Sequence, residues 1–268
     1  MSAGLLDAGA VRPTPLSRAN PVAKLAVATV LAVVLLLSVD VVTAGTAVAL
    51  ELLALPLVGL GAAALARRSA LLALAAVPTA VLTALVGVDS GAVLVAVGPL
   101  TVTSGSLEAG AAVGLRVVAI ALPGVVLLAT TDPTDLGDAL AQVLRLPARF
   151  VLAALAAFRV VDVLGEEWRQ LALARRARGL GGGGVVAGAR DVAGRTFVLL
   201  VIAVRRATVL ATAMEARGFG AGPAESRTWA RPSRMRGPDW AVVAGGVVLA
   251  GLATTAGVLA GTWRLLLT

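Results

Sequence analysis

Five runs of mainly apolar residues, each close to the roughly 20 that a helix needs to cross a hydrocarbon layer, constrain this chain more than any single residue does. They lie at about Lys24 to Val42, Thr46 to Leu65, Ala70 to Val88, Glu108 to Thr130 and Trp240 to Trp263. In lipid a backbone must satisfy its own polar groups, so these runs read as helices. The whole chain agrees: 59% of its 268 residues are hydrophobic, 14% are charged and the mean hydropathy is +0.95, more apolar surface than a soluble core uses. The fold class is therefore all-α, a polytopic membrane bundle without a second independent globular domain.

Several chemistries are excluded by residue type. The chain has no cysteine and no histidine, which removes thiolate and imidazole metal sites, Ser-His-Asp and Cys-His catalysis, and disulfides. Lys24 is its only lysine, so no GxxxxGK[ST] phosphate-binding loop can be written. If ATP drives this protein, another chain binds it.

The first run follows Arg12, Arg18 and Lys24 and shares the charged start of a secretory signal. Asp7 and the prolines Pro13, Pro15 and Pro21 argue instead for a leader ahead of a first span. Asp89 to Leu107, rich in Gly, Ser, Thr and Val, reads as an extended loop or short hairpin.

Residues 131–238 differ in character. Charges appear throughout, and Phe150 to Val163 and Thr196 to Val204 are apolar but interrupted, the first by Arg159 and Asp162, the second ended by Arg205-Arg206. They read as interfacial helices in preference to crossings, the alternative being two extra spans that leave the sense of the final topology unchanged. Thr131-Asp132-Pro133 supplies a capping side chain and a proline at the first helical position, with Asp135 and Asp138 near the positive dipole end. Leu146-Pro147 interrupts that helix. A second is expected from about Ala148 to Arg178, followed by a glycine joint at Gly181 to Gly184, and a third from about Gly188 to Arg217.

Charge sets the orientation. Of 23 basic residues, Arg12, Arg18, Lys24, Arg67, Arg68 and the 16 between Arg145 and Arg236 fall on one side, which positive charge marks as cytoplasmic. The leader is expected there and the C-terminus outside. The division is then a cytoplasmic leader at 1–23, spans one to four at 24–130, cytoplasmic coupling helices at 131–238, and the last span with an external C-terminus at 239–268. The net charge of +8 is met by anionic lipid headgroups, and nothing resembles an aromatic platform for nucleic acid.

Ala177-Arg178-Gly179 and Ala216-Arg217-Gly218 stand out within the charged region. Each puts an arginine in the last helical turn, where the dipole favours a cation, and a glycine where a left-handed cap is needed. One such triplet is an ordinary helix ending. Two, each closing a helix of about 45 Å, form a pattern. Arginine keeps its charge and offers a fork that pairs bidentately with carboxylates, while the small neighbours let a partner surface approach.

Arg116 lies within the fourth run, where an ionisable group usually faces a partner. Glu51 is a possible one, since both lie roughly 10 to 13 Å from the external face along their helices. Snorkelling of Arg116 toward the interface is the alternative. Gly59, Gly61, Ala63, Gly245 and Gly246 permit close helix approach and could form a surface for a partner, but a general Ala/Gly bias is the preferred explanation, because no single repeated face emerges at the helical period.

Beyond these residues, Gly114-Leu115-Arg116, Thr130-Thr131-Asp132-Pro133, Glu166-Glu167, Ala174 to Gly179 and Ala213-Met214-Glu215-Ala216-Arg217-Gly218-Phe219 resemble the transmembrane T component of energy-coupling factor transporters, over about Lys24 to Trp263. The resemblance implies two ABC-type ATPase subunits as partners, one docked on each Ala-Arg-Gly motif, with ATP and Mg bound there and no cofactor in this chain. It implies a membrane-embedded substrate-binding S component as the third partner and a bacterial plasma membrane location. The cargo would be a vitamin or a transition-metal ion, the chain itself would not be an enzyme, and the ATPase pair could be gripped asymmetrically. A self-contained secondary transporter or channel, or a membrane-bound enzyme, are the competing classes.

Overall fold

The structure, a computed structural model, describes residues 14, 16–38, 40–59, 62–87, 90–97, 100–179, 184–219 and 228–263, leaving aside the side chains of 62–69, 71, 95–97 and 100–101. Asp7, Arg12, Pro13, Pro15, Gly61, Asp89, Gly181–Gly183 and Arg264 lie outside the described residues, as do the side chains of Ala63, Arg67 and Arg68. Eight helices are present among them: α1 (Pro21–Leu37), α2 (Val41–Val58), α3 (Ala62–Val86), α4 (Ser104–Thr130), α5 (Pro133–Gln142), α6 (Ala148–Ala177), α7 (Val185–Ala216) and α8 (Gly237–Leu259). A two-stranded antiparallel hairpin, β1 (Val93–Val97) with β2 (Leu100–Thr103), precedes α4.

Helices α1 to α4 and α8 form over the five expected runs; among the described residues α2, α4 and α8 are long and apolar enough to cross a membrane, whereas α1 and the described Leu72–Val86 part of α3 are shorter apolar helices. The fourth begins four residues earlier than composition indicates. Thr103 Oγ1 accepts the Ser106 N–H at 3.2 Å while Ser106 Oγ accepts the Thr103 N–H at 3.0 Å, so a reciprocal cap starts the helix at Ser104. The expected proline start at Pro133 is realised, with Asp132 Oδ1 accepting the Thr134 N–H at 2.7 Å.

The chain divides into two compact units, one of residues up to Ala139 together with Ser233 onward, the other of Leu140–Pro232. The first is the bundle. There α4 packs against α1, α2 and α3, and α8 packs against α1 and α2. Where four helices meet, three of the four buried side chains are alanines: Ala47, Ala119 and Ala253 from α2, α4 and α8 pack with Leu35 from α1. Leu53, Leu57, Leu74 and Leu128 point outward. Small residues at helix contacts suit helices that face lipid, where close backbone approach rather than water exclusion drives association. Gly246 shows the fit: a Cβ there would lie 2.6 Å from a methyl of Val27 on α1. At this site the small residue serves helix packing within the chain, whereas Gly245 opens on empty space.

One end of the bundle is tied by polar groups. Lys24, buried in the first turn of α1, donates from Nζ to the Ser17 carbonyl (2.9 Å), the Thr130 carbonyl (3.2 Å), Thr130 Oγ1 (3.1 Å) and Thr131 Oγ1 (3.2 Å), where α4 ends. Asp239, in the first turn of α8, accepts the Asn20 N–H at 2.7 Å on one oxygen and the Arg236 N–H at 2.7 Å on the other. Asn20 in turn caps α1 through the Val22 N–H at 2.9 Å. The start of α1, the end of α4 and the start of α8 are thus held at one end of the bundle.

By length and composition α7 is apolar enough to span, as are α2, α4 and α8 among the described residues, more than its division at Arg205-Arg206 suggested. Helix α6 carries eight charged residues between Arg149 and Arg176. The apolar length of α7 faces outward from its own unit with no residue buried.

Replacing Lys24 by Met leaves four inward-facing oxygens without a donor. The expected loss is about 3 to 5 kcal/mol, the scale for breaking a buried charged contact, read as a lowered thermal midpoint of the detergent-solubilised protein.

Candidate functional site

Both Ala-Arg-Gly motifs end their helices in the same backbone geometry. Arg178 has φ −88° and ψ 8° and Arg217 has φ −87° and ψ 8°, each the capping residue of its helix. The glycine that follows is left-handed, φ +71° at Gly179 and +77° at Gly218, a conformation that penalises any side chain. The Gly179 N–H donates to the Arg176 carbonyl at 3.0 Å and the Gly218 N–H to the Glu215 carbonyl at 2.9 Å. At the second motif Phe219 completes the closure by donating to the Met214 carbonyl at 2.9 Å. Helix α7 starts at Val185, three residues before the expected Gly188, and α6 spans the expected range.

All six motif residues are exposed. A Cβ added at either glycine would meet nothing within 4 Å, so open space surrounds both turns. Among the described residues, neither Arg178 nor Arg217 makes an ion pair. The motifs present two like-shaped cationic tips.

Their surroundings differ. Three residues before Arg178, Arg175 Nη1 donates to Asp191 Oδ1 at 2.9 Å and to the Asp191 carbonyl at 3.3 Å, joining the last turns of α6 to the first turns of α7. Arg195 Nη2 lies 2.6 Å from the other Asp191 oxygen, and its guanidinium stacks 4.5 Å over the Trp168 ring. Glu167 pairs with Arg206. The Asp191 carboxyl is held below the ordinary carboxylate range, first by the hydrogen bond from Arg175 and then by the charges of Arg195 and Arg175 acting against desolvation. A depressed carboxyl keeps these contacts at neutral pH and loses them only as acid protonates it. The sequence offered a signal for this brace in the i,i+4 spacing of Asp191 and Arg195, which went unread.

Glu51 and Arg116 are not brought together. Arg116 Nη2 donates to the Ser38 carbonyl at the α1–α2 connection, and its nearest carboxylate influence is Asp40. Asp40 caps α2, its Oδ2 accepting the Thr43 N–H and Thr43 hydroxyl, each at 2.8 Å. The expected pairing fails on depth: Arg116 lies 12 residues into α4, about 18 Å, yet reaches the α1–α2 connection, so the starts of α4 and α2 are not level, while Glu51 lies 11 residues beyond Asp40, about 16 Å along α2. Both Glu51 oxygens are buried without a hydrogen-bond partner, and so are Asp40 Oδ1 and Arg116 Nε. The last two lie in one polar cluster and are complementary.

Double-mutant cycles on thermal stability separate the two pairings. Arg116→Leu with Asp40→Asn is expected to show a coupling of about 0.5 to 3 kcal/mol, and Arg116→Leu with Glu51→Gln to add within about 0.5 kcal/mol.

Comparison with known proteins agrees with this architecture. The family model CbiQ, described as cobalt transport protein, matches residues 13–228. The protein from Heliobacterium modesticaldum named energy-coupling factor transporter transmembrane protein EcfT is 35% identical over 161 residues, 57% of this chain and 60% of that one. Proteins of the same name are 34% identical over 164 residues in Lacticaseibacillus paracasei (58% and 61%) and 32% over 171 residues in Bacillus subtilis (60% and 64%). The chain thus spans about three-fifths of the length of these curated relatives. With four-fifths of its residues under one family model and a bundle of apolar helices to match, this multi-pass membrane protein belongs to the CbiQ family.

Proposed function

We propose that this chain is the energy-coupling membrane subunit of an importer of the energy-coupling factor type. Arg178 and Arg217 dock on two cytoplasmic ABC-type ATPases, and the α6–α7 unit passes their ATP-driven motion to a substrate-binding S component that carries a vitamin or a transition-metal ion. This chain is not the enzyme, and it holds no cofactor; ATP and Mg belong to the ATPases. The N-terminus and residues 131–238 face the cytoplasm and the C-terminus the outside of a bacterial plasma membrane.

The observation that carries this reading is the duplicated tip: one capped, exposed, unpaired arginine at each end of α7's length. Asp191, in contact with the end of α6, and Arg217 are 26 residues apart on one helix, about 39 Å. Two such points suit two separate subunits better than one shared groove. Motion is transmitted because each tip makes different contacts in the two nucleotide states of the ATPases, and only such a difference can shift a conformational equilibrium. A self-contained transporter or channel would need no paired exposed tips.

Arg178→Glu and Arg217→Glu are each expected to weaken capture of the tagged ATPase pair by about 2 kcal/mol or more, roughly 30-fold. The double variant, still membrane-inserted, is expected to lose capture altogether. Retained capture by the double variant, or substrate flux by the purified chain alone, overturns the assignment.

Sidedness is read from cysteines, since the chain has none of its own. Val185→Cys and Glu215→Cys, at the two ends of α7, are both expected to resist an impermeant maleimide in intact cells and to react after lysis. Labelling of one end alone from outside would mean that α7 crosses the bilayer.

A further inference from the structure

The two tips share a backbone shape but not a support. Arg175 is the residue that joins the first tip to its neighbour helix, and the packing around it is built to take its guanidinium. Gly194 forms the floor: a Cβ at that position would lie 2.7 Å from Arg175 Nη2 and 2.9 Å from Nη1. Asp191 forms the wall, accepting from Arg175 through both its side chain and its carbonyl. Arg195 holds the second Asp191 oxygen and is itself held against Trp168, so the carboxylate is fixed from both sides by elements of α6 and α7. The Arg175, Asp191 and Arg195 side chains are 29%, 20% and 15% exposed, a partly dry setting where such contacts outweigh those of a surface pair.

Around Arg217 nothing comparable is present among the described residues. The last two turns of α7, Leu210 to Ala216, have no buried residue and make no ion pair there. The interhelical charged pairs stop at Arg206 with Glu167.

We propose that Asp191 is a positioning residue for the first tip: with Arg175 seated over Gly194, it clamps the last turn of α6 to α7 and fixes the direction of Arg178. The proposal rests on the docking role of the two arginines. Arg178 meets its partner preorganised and loses little freedom on docking.

Two readouts test it, one of which does not involve the ATPases. Nitroxides at Leu173→Cys on α6 and Val209→Cys on α7, both exposed, report the inter-helix distance distribution in the full chain by pulsed dipolar spectroscopy. Asp191→Asn is expected to broaden that distribution. Gly194→Ala is expected to broaden it likewise, because the added methyl displaces only the end of the Arg175 side chain and leaves the charges and backbone in place. The reversal Arg175→Glu with Asp191→Arg is expected to narrow it again. In ATPase capture, Gly194→Ala is expected to cost several-fold on an Arg217→Ala background and nothing further on an Arg178→Ala background. An unchanged distribution in both single variants overturns the clamp, and equal losses on both backgrounds overturn its assignment to Arg178. Failure of the wild-type chain to capture ATPases would instead remove the docking role while the spectroscopic result still judged the clamp.

Discussion

One ammonium group organises the bundle. Lys24 is buried among four oxygens, two of them hydroxyls, and ties the chain before α1 to the end of α4, while Asp239 draws the start of α8 to the same place through Asn20. A buried charge is tolerable only when its donors are all met, and here three protons find four acceptors.

Helix α7 is, by length and composition, apolar enough to span a membrane. Its exposed residues include Phe197, Leu200, Val201, Val204 and Val209, interrupted by Arg205 and Arg206. In the bundle, by contrast, Ala47, Ala119 and Ala253 pack with Leu35 where the helices meet, while Leu53, Leu57, Leu74 and Leu128 face outward. The two units therefore use hydrophobicity differently: one to pack closely against itself, the other to leave an apolar surface unpartnered within its own unit.

Much of this was legible in the sequence, and the unread part has a common cause. Runs of apolar residues mark helices because a crossing needs a fixed length, and Leu146-Pro147, Gly179 and Gly218 mark helix ends because proline and left-handed backbone are local restrictions. The cap at Thr103–Ser106 was also local, but it lay inside a Ser/Thr-rich stretch that reads as loop. The ion pair of Glu51 with Arg116 was expected from depth alone. Depth counted along each helix assumes that the helices start level, and here Arg116, 12 residues or about 18 Å into α4, reaches Ser38 before the start of α2. Lys24, conspicuous as the sole lysine, signalled only positive charge; that it would meet Thr130 and Thr131 depends on how α1 packs against α4, which no window of sequence contains. The same holds for Arg175 and Asp191, sixteen residues apart on different helices.

The two arginine tips show why sequence repetition does not guarantee mechanical repetition. Ala-Arg-Gly dictates its own ending: an alanine that permits close approach, an arginine in the last turn, a glycine that turns the chain, and the dihedral angles of the two copies agree to within a degree at the arginine. What the motif does not encode is the stiffness of the helix behind it. At the first copy that stiffness comes from Asp191 and Gly194 on the neighbouring helix; at the second the last turns of α7 stand without such a contact among the described residues. In the proposed coupling role that brace gives the first tip a fixed direction, which the symmetry of the motif alone does not supply.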